Sequence, residues 1–382
     1  MNLKCLKLAG LFLLISLGLV LAGCSKSSKE QDPSAKIVDQ GEASTNLNAG
    51  PNRLPPRLQS EDKKMQNLQE LYFAGGCFWG VESYFQRIAG VEATEVGYAN
   101  GKTEDTEYRR LAETEHAETV KIVFDRNRIH PAELIYHLFR IIDPTSLDRQ
   151  GNDIGRQYRS GIYAKDQKLL DLAEAMLEHL QSKYDEQLQV EVQPLANYIP
   201  AEEYHQDYLS KNPSGYCHIN TAIAYEPLIK SLSYPKRDQS TMIEELKEDD
   251  TAAYKIMLEA DTEAPFSSEL NQQQAKGIYV DRISGEPLFS STEKYESGCG
   301  WPSFTRSILT QTITYHEDLS FGRQRVETKS LESDAHLGHV FDDGPQAEGG
   351  LRFCINGAAL DFIPLEEMAE RGYADFTFFV EY

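Results

Sequence analysis

Between residues 71 and 195 apolar side chains alternate between the two-residue period of a strand and the 3.6-residue period of a helix; beyond Lys247 short strand-like runs between turns take over. These textures pack differently, so the chain is expected to fold as two units. Its 382 residues agree, because single cores stop growing near roughly 250–300 residues.

In the first unit, residues 71–74 read as a strand, and Val81, Tyr84, Phe85 and Ile88 then share one helical face that ends at Gly90. Strands are expected at 94–99 and at 119–124, where Val120, Ile122 and Phe124 alternate. Pro131 opens a second helix carrying Leu134, Leu138, Ile141 and Ile142 on one side, and Pro144 stops it. A strand at 158–164, a helix at 167–184, a strand at 188–195 and a helix at 201–211 follow. This order predicts the α+β class, a split β-α-β arrangement of the ferredoxin-like kind with helices on a mixed sheet. Residues 228–240, with Pro235-Lys236-Arg237-Asp238, read as a linker. Strand candidates at 277–283, 312–316, 325–328, 338–341, 351–355 and 376–381 predict a mostly antiparallel β unit over 241–382.

Residues 1–23 combine Lys4 and Lys7 with an apolar run too short for a membrane span of about 20 residues, the layout of an export signal. Leu21-Ala22-Gly23-Cys24 resembles the lipobox of bacterial lipoproteins. That resemblance implies cleavage before Cys24, a lipid on its sulfur, and anchoring to a membrane of the bacterial cell envelope on the extracytoplasmic side. A plain secreted protein is the alternative. Residues 24–67, rich in Ser, Lys, Asp, Gly and Pro, read as a disordered tether with a reach on the order of 35–40 Å.

With 60 acidic against 38 basic residues the net charge is -22, which argues against nucleic acid and for small-molecule or protein partners. Of six cysteines, Cys5 leaves with the signal and Cys24 takes the lipid. Cys77, Cys217, Cys299 and Cys354 remain, in an exported setting where disulfides persist. No C-x-x-C is present, so a general thiol-disulfide oxidoreductase lacks its usual motif.

Cys77 stands in Gly75-Gly76-Cys77-Phe78-Trp79-Gly80, between a strand end and a helix start. Unpaired backbone N–H groups and the helix dipole there favour thiolate, so a lowered pKa is expected. A buried cysteine packing as a small apolar side chain fits the same six residues. Taken with Gly97-Tyr98-Ala99, His116-Ala117-Glu118, the run from Gly151 to Ser160, and Gly215-Tyr216-Cys217-His218, residues 68–227 resemble A-type methionine sulfoxide reductases. The resemblance implies a nucleophile at Cys77, a seat for the substrate methyl at Phe78 and Trp79, and Glu118 protonating the sulfoxide oxygen. It further implies Tyr108 and Tyr158 as hydrogen-bond donors, Asp153 in support, and Cys217 as the resolving thiol. Glu115 stands where the family commonly has glycine. A sulfoxide is polar at oxygen and apolar at its methyl, so its pocket needs an aromatic wall opposite donors. A carboxylic acid can donate there if burial raises its pKa.

Ser297-Gly298-Cys299-Gly300-Trp301-Pro302, His336-Leu337-Gly338-His339 and Arg352-Phe353-Cys354-Ile355-Asn356 resemble B-type methionine sulfoxide reductases over 241–382. Carried over, Cys354 is the nucleophile, Cys299 resolves it, Trp301 seats the methyl, and His336, His339 and Asn356 organise water and proton donors. Many B-type relatives hold structural zinc with two C-x-x-C pairs. Here Ser284-Gly285-Glu286-Pro287 and Glu332-Ser333-Asp334-Ala335 occupy those regions, so no metal and no cofactor are expected.

Methionine sulfoxide is chiral at sulfur, and one enzyme per epimer is a rule drawn from these reductases themselves. The resemblance implies the S epimer for the first unit and the R epimer for the second, free or within oxidised proteins. A thioredoxin-like donor would reset both thiol pairs. A disulfide-stapled binding lipoprotein is the non-enzymatic alternative.

Overall fold

The computed structural model describes Leu54, Pro55, Leu58 and residues 67–382; the expected export signal, the expected lipid site Cys24 and most of the expected tether lie outside the described residues. The N-terminal half runs β1 (Leu68–Gly75), α1 (Phe78–Phe85), β2 (Val91–Ala99), α2 (Leu111–Thr114), β3 (Ala117–Asp125), α3 (Pro131–Phe139), β4 (Arg149–Gln150), β5 (Asp153–Ile154), β6 (Ser160–Ala164), α4 (Gln167–Gln181), β7 (Glu191–Pro194), β8 (Tyr198–Pro200) and α5 (Tyr208–Lys211).

From Leu71 onward every residue of β1 is buried, and a strand with no wet face belongs inside a sheet. β1 accordingly pairs antiparallel with both β3 and β6, in a sheet ordered β7-β6-β1-β3-β2-β8 whose one parallel pair is β6 with β7. Leu71, Phe73, Val120, Ile122 and Phe124 join residues of α1, α3 and α4 in the main core. Tyr72, Ala74, Ala99, Ala117 and Tyr163 form a thinner layer on the opposite face. Helix starts follow local chemistry: Asp166 accepts from Lys168 N at 2.9 Å, and His130 Nδ1 accepts from Ala132 N at 3.1 Å ahead of Pro131. The helix expected at 201–211 is confined to α5. Gln206 bonds both the N–H and the carbonyl of Val96 at 2.9 Å, tying the segment to the sheet edge, and Asp207 turns to φ 52°.

The C-terminal half comprises α6 (Gln239–Asp249), α7 (Thr251–Glu259), β9 (Gly277–Asp281), β10 (Pro287–Ser290), β11 (Lys294–Tyr295), β12 (Ser303–Phe304), β13 (Ile313–Asp318), β14 (Arg325–Ser330), β15 (His336–Phe341), β16 (Arg352–Ile355), β17 (Leu360–Pro364), α8 (Leu365–Met368) and α9 (Phe378–Glu381). Two antiparallel sheets, β10-β9-β17 and β11-β12-β16-β15-β14-β13, close over Phe304, which stacks on Phe289 at 4.3 Å. Leu54 and Leu58 pack against this core. The sequence reading missed α6 and α7. α6 buries only Leu246, too little apolar surface to print a helical period.

The strand expected at 376–381 is helical, because its packing partner is the other half. Phe376, Phe378, Phe379 and Val380 share the main core with Leu134, Ile135 and Leu138 of α3. Each buried Phe contributes roughly 1.5–3 kcal/mol. At the centre, the Asp375 carboxylate accepts from His179 Nε2 at 2.6 Å, Lys183 Nζ at 2.6 Å and Ser233 N at 2.7 Å, and its carbonyl accepts from Tyr136 OH at 2.8 Å. Buried Glu133 of α3 accepts from Thr310 Oγ1 at 2.6 Å.

Candidate active sites

β3 positions the first site. Alternation puts Glu118 on the same face as Val120, Ile122 and Phe124, beneath the start of α1, where it accepts from Phe78 N at 3.1 Å. Cys77 caps that helix from the β1–α1 turn. The turn needs Gly76, whose φ is +84° and whose Cβ would lie 2.5 Å from Gln150 Cβ. Gly80 is needed for a different reason: a Cβ there would stand 2.9 Å from the Cys217 sulfur, so the second thiol rests on the first turn of the nucleophile's helix.

Around Cys77 the aromatic wall is larger than expected. Phe78 lies 5.2 Å from His205 and 5.9 Å from Tyr98. Trp79 donates Nε1–H to His205 Nδ1 at 3.1 Å and stacks on Tyr208 at 3.7 Å. Tyr108 and Tyr158 act on each other, and the charge of Glu118 bears on both. Asp153, on β5, accepts from Tyr216 OH at 3.1 Å, and its charge reaches Cys77 and Glu118.

Burial pushes Glu118 up to about 8, so the acid is protonated at neutral pH. Cys77 does not have the lowered pKa expected. Burial first, then the Glu118 charge, push its thiol well above the ordinary range, outweighing the backbone N–H groups of Trp79 and Gly80. Protonating Glu118 removes that repulsion and leaves burial, the larger cause, in place.

In the second site the register does the positioning. Cys354 on β16 stands opposite Ser303 of β12 and His339 of β15. Its sulfur is 3.4 Å from that of Cys299. Burial works against ionising Cys299, but the hydroxyls of Ser297 (2.9 Å) and Ser303 (3.3 Å) bring it down to about 7. Burial and the neighbouring Cys299 push Cys354 up to about 12, so the resting pair keeps its negative charge on Cys299. His336 Nδ1 lies 2.6 Å from Glu327, leaving Nε2 unpartnered, and His339 Nε2 lies 2.8 Å from Asp318. Trp301 donates to the Glu263 carbonyl at 3.2 Å. The Asn356 amide accepts from Glu263 N at 3.1 Å and donates to Leu337 O at 3.1 Å, so it also braces the Trp301 wall.

The sequence matches the family described as Peptide methionine sulfoxide reductase over residues 69–237 and the SelR domain over residues 250–364. Mxr1 from Saccharomyces cerevisiae in reduced form is 35% identical, over 41% of this chain and 91% of its own, with a TM-score of 0.39. The chain belongs to the peptide methionine sulfoxide reductases. Methionine sulfoxide reductase A of Corynebacterium diphtheriae is 34% identical, over 45% of this chain and 85% of its own, with a TM-score of 0.37. Mxr1 in complex with Trx2 matches at 24% identity, over 37% of this chain and 85% of its own, with a TM-score of 0.28. The protein joins an A-type reductase of methionine sulfoxide to a B-type one, with an A-type fold first and mostly antiparallel sheets after it.

The stretches Ser284-Gly285-Glu286-Pro287 and Glu332-Ser333-Asp334-Ala335 meet in a clasp of hydrogen bonds. Ser284 Oγ donates to Asp281 at 2.6 Å, while Glu286 accepts from Ser330 Oγ at 2.7 Å and from Glu332 N at 3.1 Å. Burial pushes Glu286 up to about 8, which suits a neutral carboxyl among hydroxyls. The sequence reading missed His205, Tyr208, Glu327 and Asp318. His205 and Tyr208 carry a signal, aromatic character at i and i+3, but it reads as helix packing. Glu327 and Asp318 stand 9 and 21 residues before the histidines they hold, on other strands, and no local pattern marks them.

Proposed function

We propose that the A-type half reduces the S epimer and the B-type half the R epimer of methionine sulfoxide, free and in proteins, each through its own thiol pair. Glu118 carries this reading: a carboxyl kept protonated by burial lies within reach of the nucleophile's helix start, where a sulfoxide oxygen needs a proton. Phe78, Trp79 and Tyr208 accept the methyl, and Tyr108 and Tyr158 orient the oxygen. Cys77 attacks the sulfoxide sulfur while Glu118 protonates the oxygen. The sulfur–sulfur bond so formed then breaks as oxygen passes from the methionine sulfur to that of Cys77, and the thiol proton returns to Glu118. Methionine leaves reduced and Cys77 becomes a sulfenic acid. Cys217 then closes a disulfide with release of water. Cys354 and Cys299 repeat the sequence beside His336 and His339.

A thioredoxin-like dithiol resets both disulfides; complex formation of the relative Mxr1 with Trx2 supports that reading. The lipobox-like run ending at Cys24 supports a lipid anchor on the extracytoplasmic side of a bacterial membrane. The neighbour order β6-β1-β3-β2 supports the split β-α-β reading of the first half. The test is the full chain with each resolved epimer. Cys77→Ser is expected to lose S-epimer turnover alone and Cys354→Ser R-epimer turnover alone; loss of both activities in either variant overturns the assignment.

A further inference from the structure

We propose that His218 carries the proton of the disulfide-forming step in the A-type half, an inference that rests on the reading of Cys77 as nucleophile and Cys217 as resolving thiol. That step moves one proton. The Cys217 thiol must lose its hydrogen, and the hydroxyl on the Cys77 sulfur must leave as water.

Cys217 has no base of its own. Burial pushes its thiol up, and its one hydrogen bond is donated to the Ile219 carbonyl at 3.1 Å, an oxygen that cannot take the proton away. His218 is next in the chain, and its ring is laid along the turn that holds the nucleophile. Ring Cε1 lies 3.1 Å from where a Cβ on Gly76 would stand, and Cγ and Cδ2 lie 3.5 and 3.6 Å from that of Gly151. Glycine at both positions leaves the imidazole its room. Both ring nitrogens are buried and make no hydrogen bond, and a buried polar group left uncommitted calls for an explanation. Nδ1 stands 3.6 Å from the Asp153 carboxylate, close enough to stabilise an imidazolium when it forms. Burial keeps the resting ring neutral and therefore able to accept.

The step then balances. Cys217 passes its proton to His218 and its sulfur bonds to the Cys77 sulfur. The S–O bond breaks, and His218 returns the proton to the departing hydroxide as water. Cys77 is reduced, Cys217 is oxidised, and no outside reagent enters.

Reduced full-length protein is mixed with the S epimer and no reductant, and methionine, the Cys77–Cys217 disulfide and dimedone-trapped sulfenic acid are followed by mass spectrometry. In His218→Ala and the bulkier His218→Gln, one equivalent of methionine is expected, sulfenic acid accumulates, and disulfide formation slows about 100-fold. Free imidazole is expected to restore part of the rate in His218→Ala, which a packing role would not allow. Disulfide formation at the wild-type rate in both variants overturns the proposal. Absence of the methionine burst from the wild-type chain, or its survival in Cys77→Ser, instead overturns the underlying reading of the site.

Discussion

Glu118→Gln separates what the buried acid does for chemistry from what it does to stability. The folded-state pKa of Glu118 is about 8 against an ordinary 4.5, so the native state holds this proton more tightly than the unfolded chain. Its contribution to stability is therefore fully present below pH 4.5 and is lost as pH rises to 8. At about 1.4 kcal/mol per pH unit, the loss reaches about 5 kcal/mol across that window. Glutamine keeps the acceptor for Phe78 N and cannot ionise, so the variant escapes the loss. Urea unfolding of wild type and variant at pH 5, 7 and 9 is expected to show a stability gap that opens in favour of glutamine as pH rises. S-epimer turnover is expected to fall about 10²–10⁴-fold at pH 7, with R-epimer turnover untouched. A gap of equal size at pH 5 and pH 9 would refute the burial argument, and undiminished S-epimer turnover would refute the acid's role.

Asp375→Ala strips the partner from His179 and Lys183 in a buried network, and breaking such a pair costs about 3–5 kcal/mol; calorimetry is expected to show a lower melting temperature for both halves. Ser330→Ala removes the hydroxyl donor to Glu286, and denaturant unfolding is expected to show a loss of about 1–3 kcal/mol. Cys299→Ser removes the charge that helps push Cys354 up, so the pH profile of Cys354 alkylation is expected to move down from about 12. Trp79→Ala loses the stack on Tyr208 and the bond to His205, and KM for the S epimer is expected to rise with a smaller change in kcat.

The local signals of the first half are its strand faces, and the roles of its site residues came from the resemblance. Val120, Ile122 and Phe124 declare which way β3 faces, and Glu118 follows by count. What failed depended on distant partners. The helix dipole at Cys77 is readable from Gly75 to Gly80, but the carboxyl that opposes it comes from a strand forty residues away. Residues 201–207 carry helix-like spacing, yet Gln206 finds the Val96 backbone first. Phe376 to Val380 alternate well enough for a strand until the α3 face is known to be waiting. In the second half, the resting charge on Cys299 follows from Ser297 and Ser303, whose hydroxyls the C-G-W-P motif does not foretell as donors.

The docking of Asp375 and its phenylalanines onto α3 and α4 bears on how such a fusion can be taken apart. Cleaved between its halves, the first enzyme would be left with a raw apolar wound and a stranded lysine and histidine, and the second with a greasy, dangling tail. Either half made alone is therefore expected to clump more readily than the joined chain.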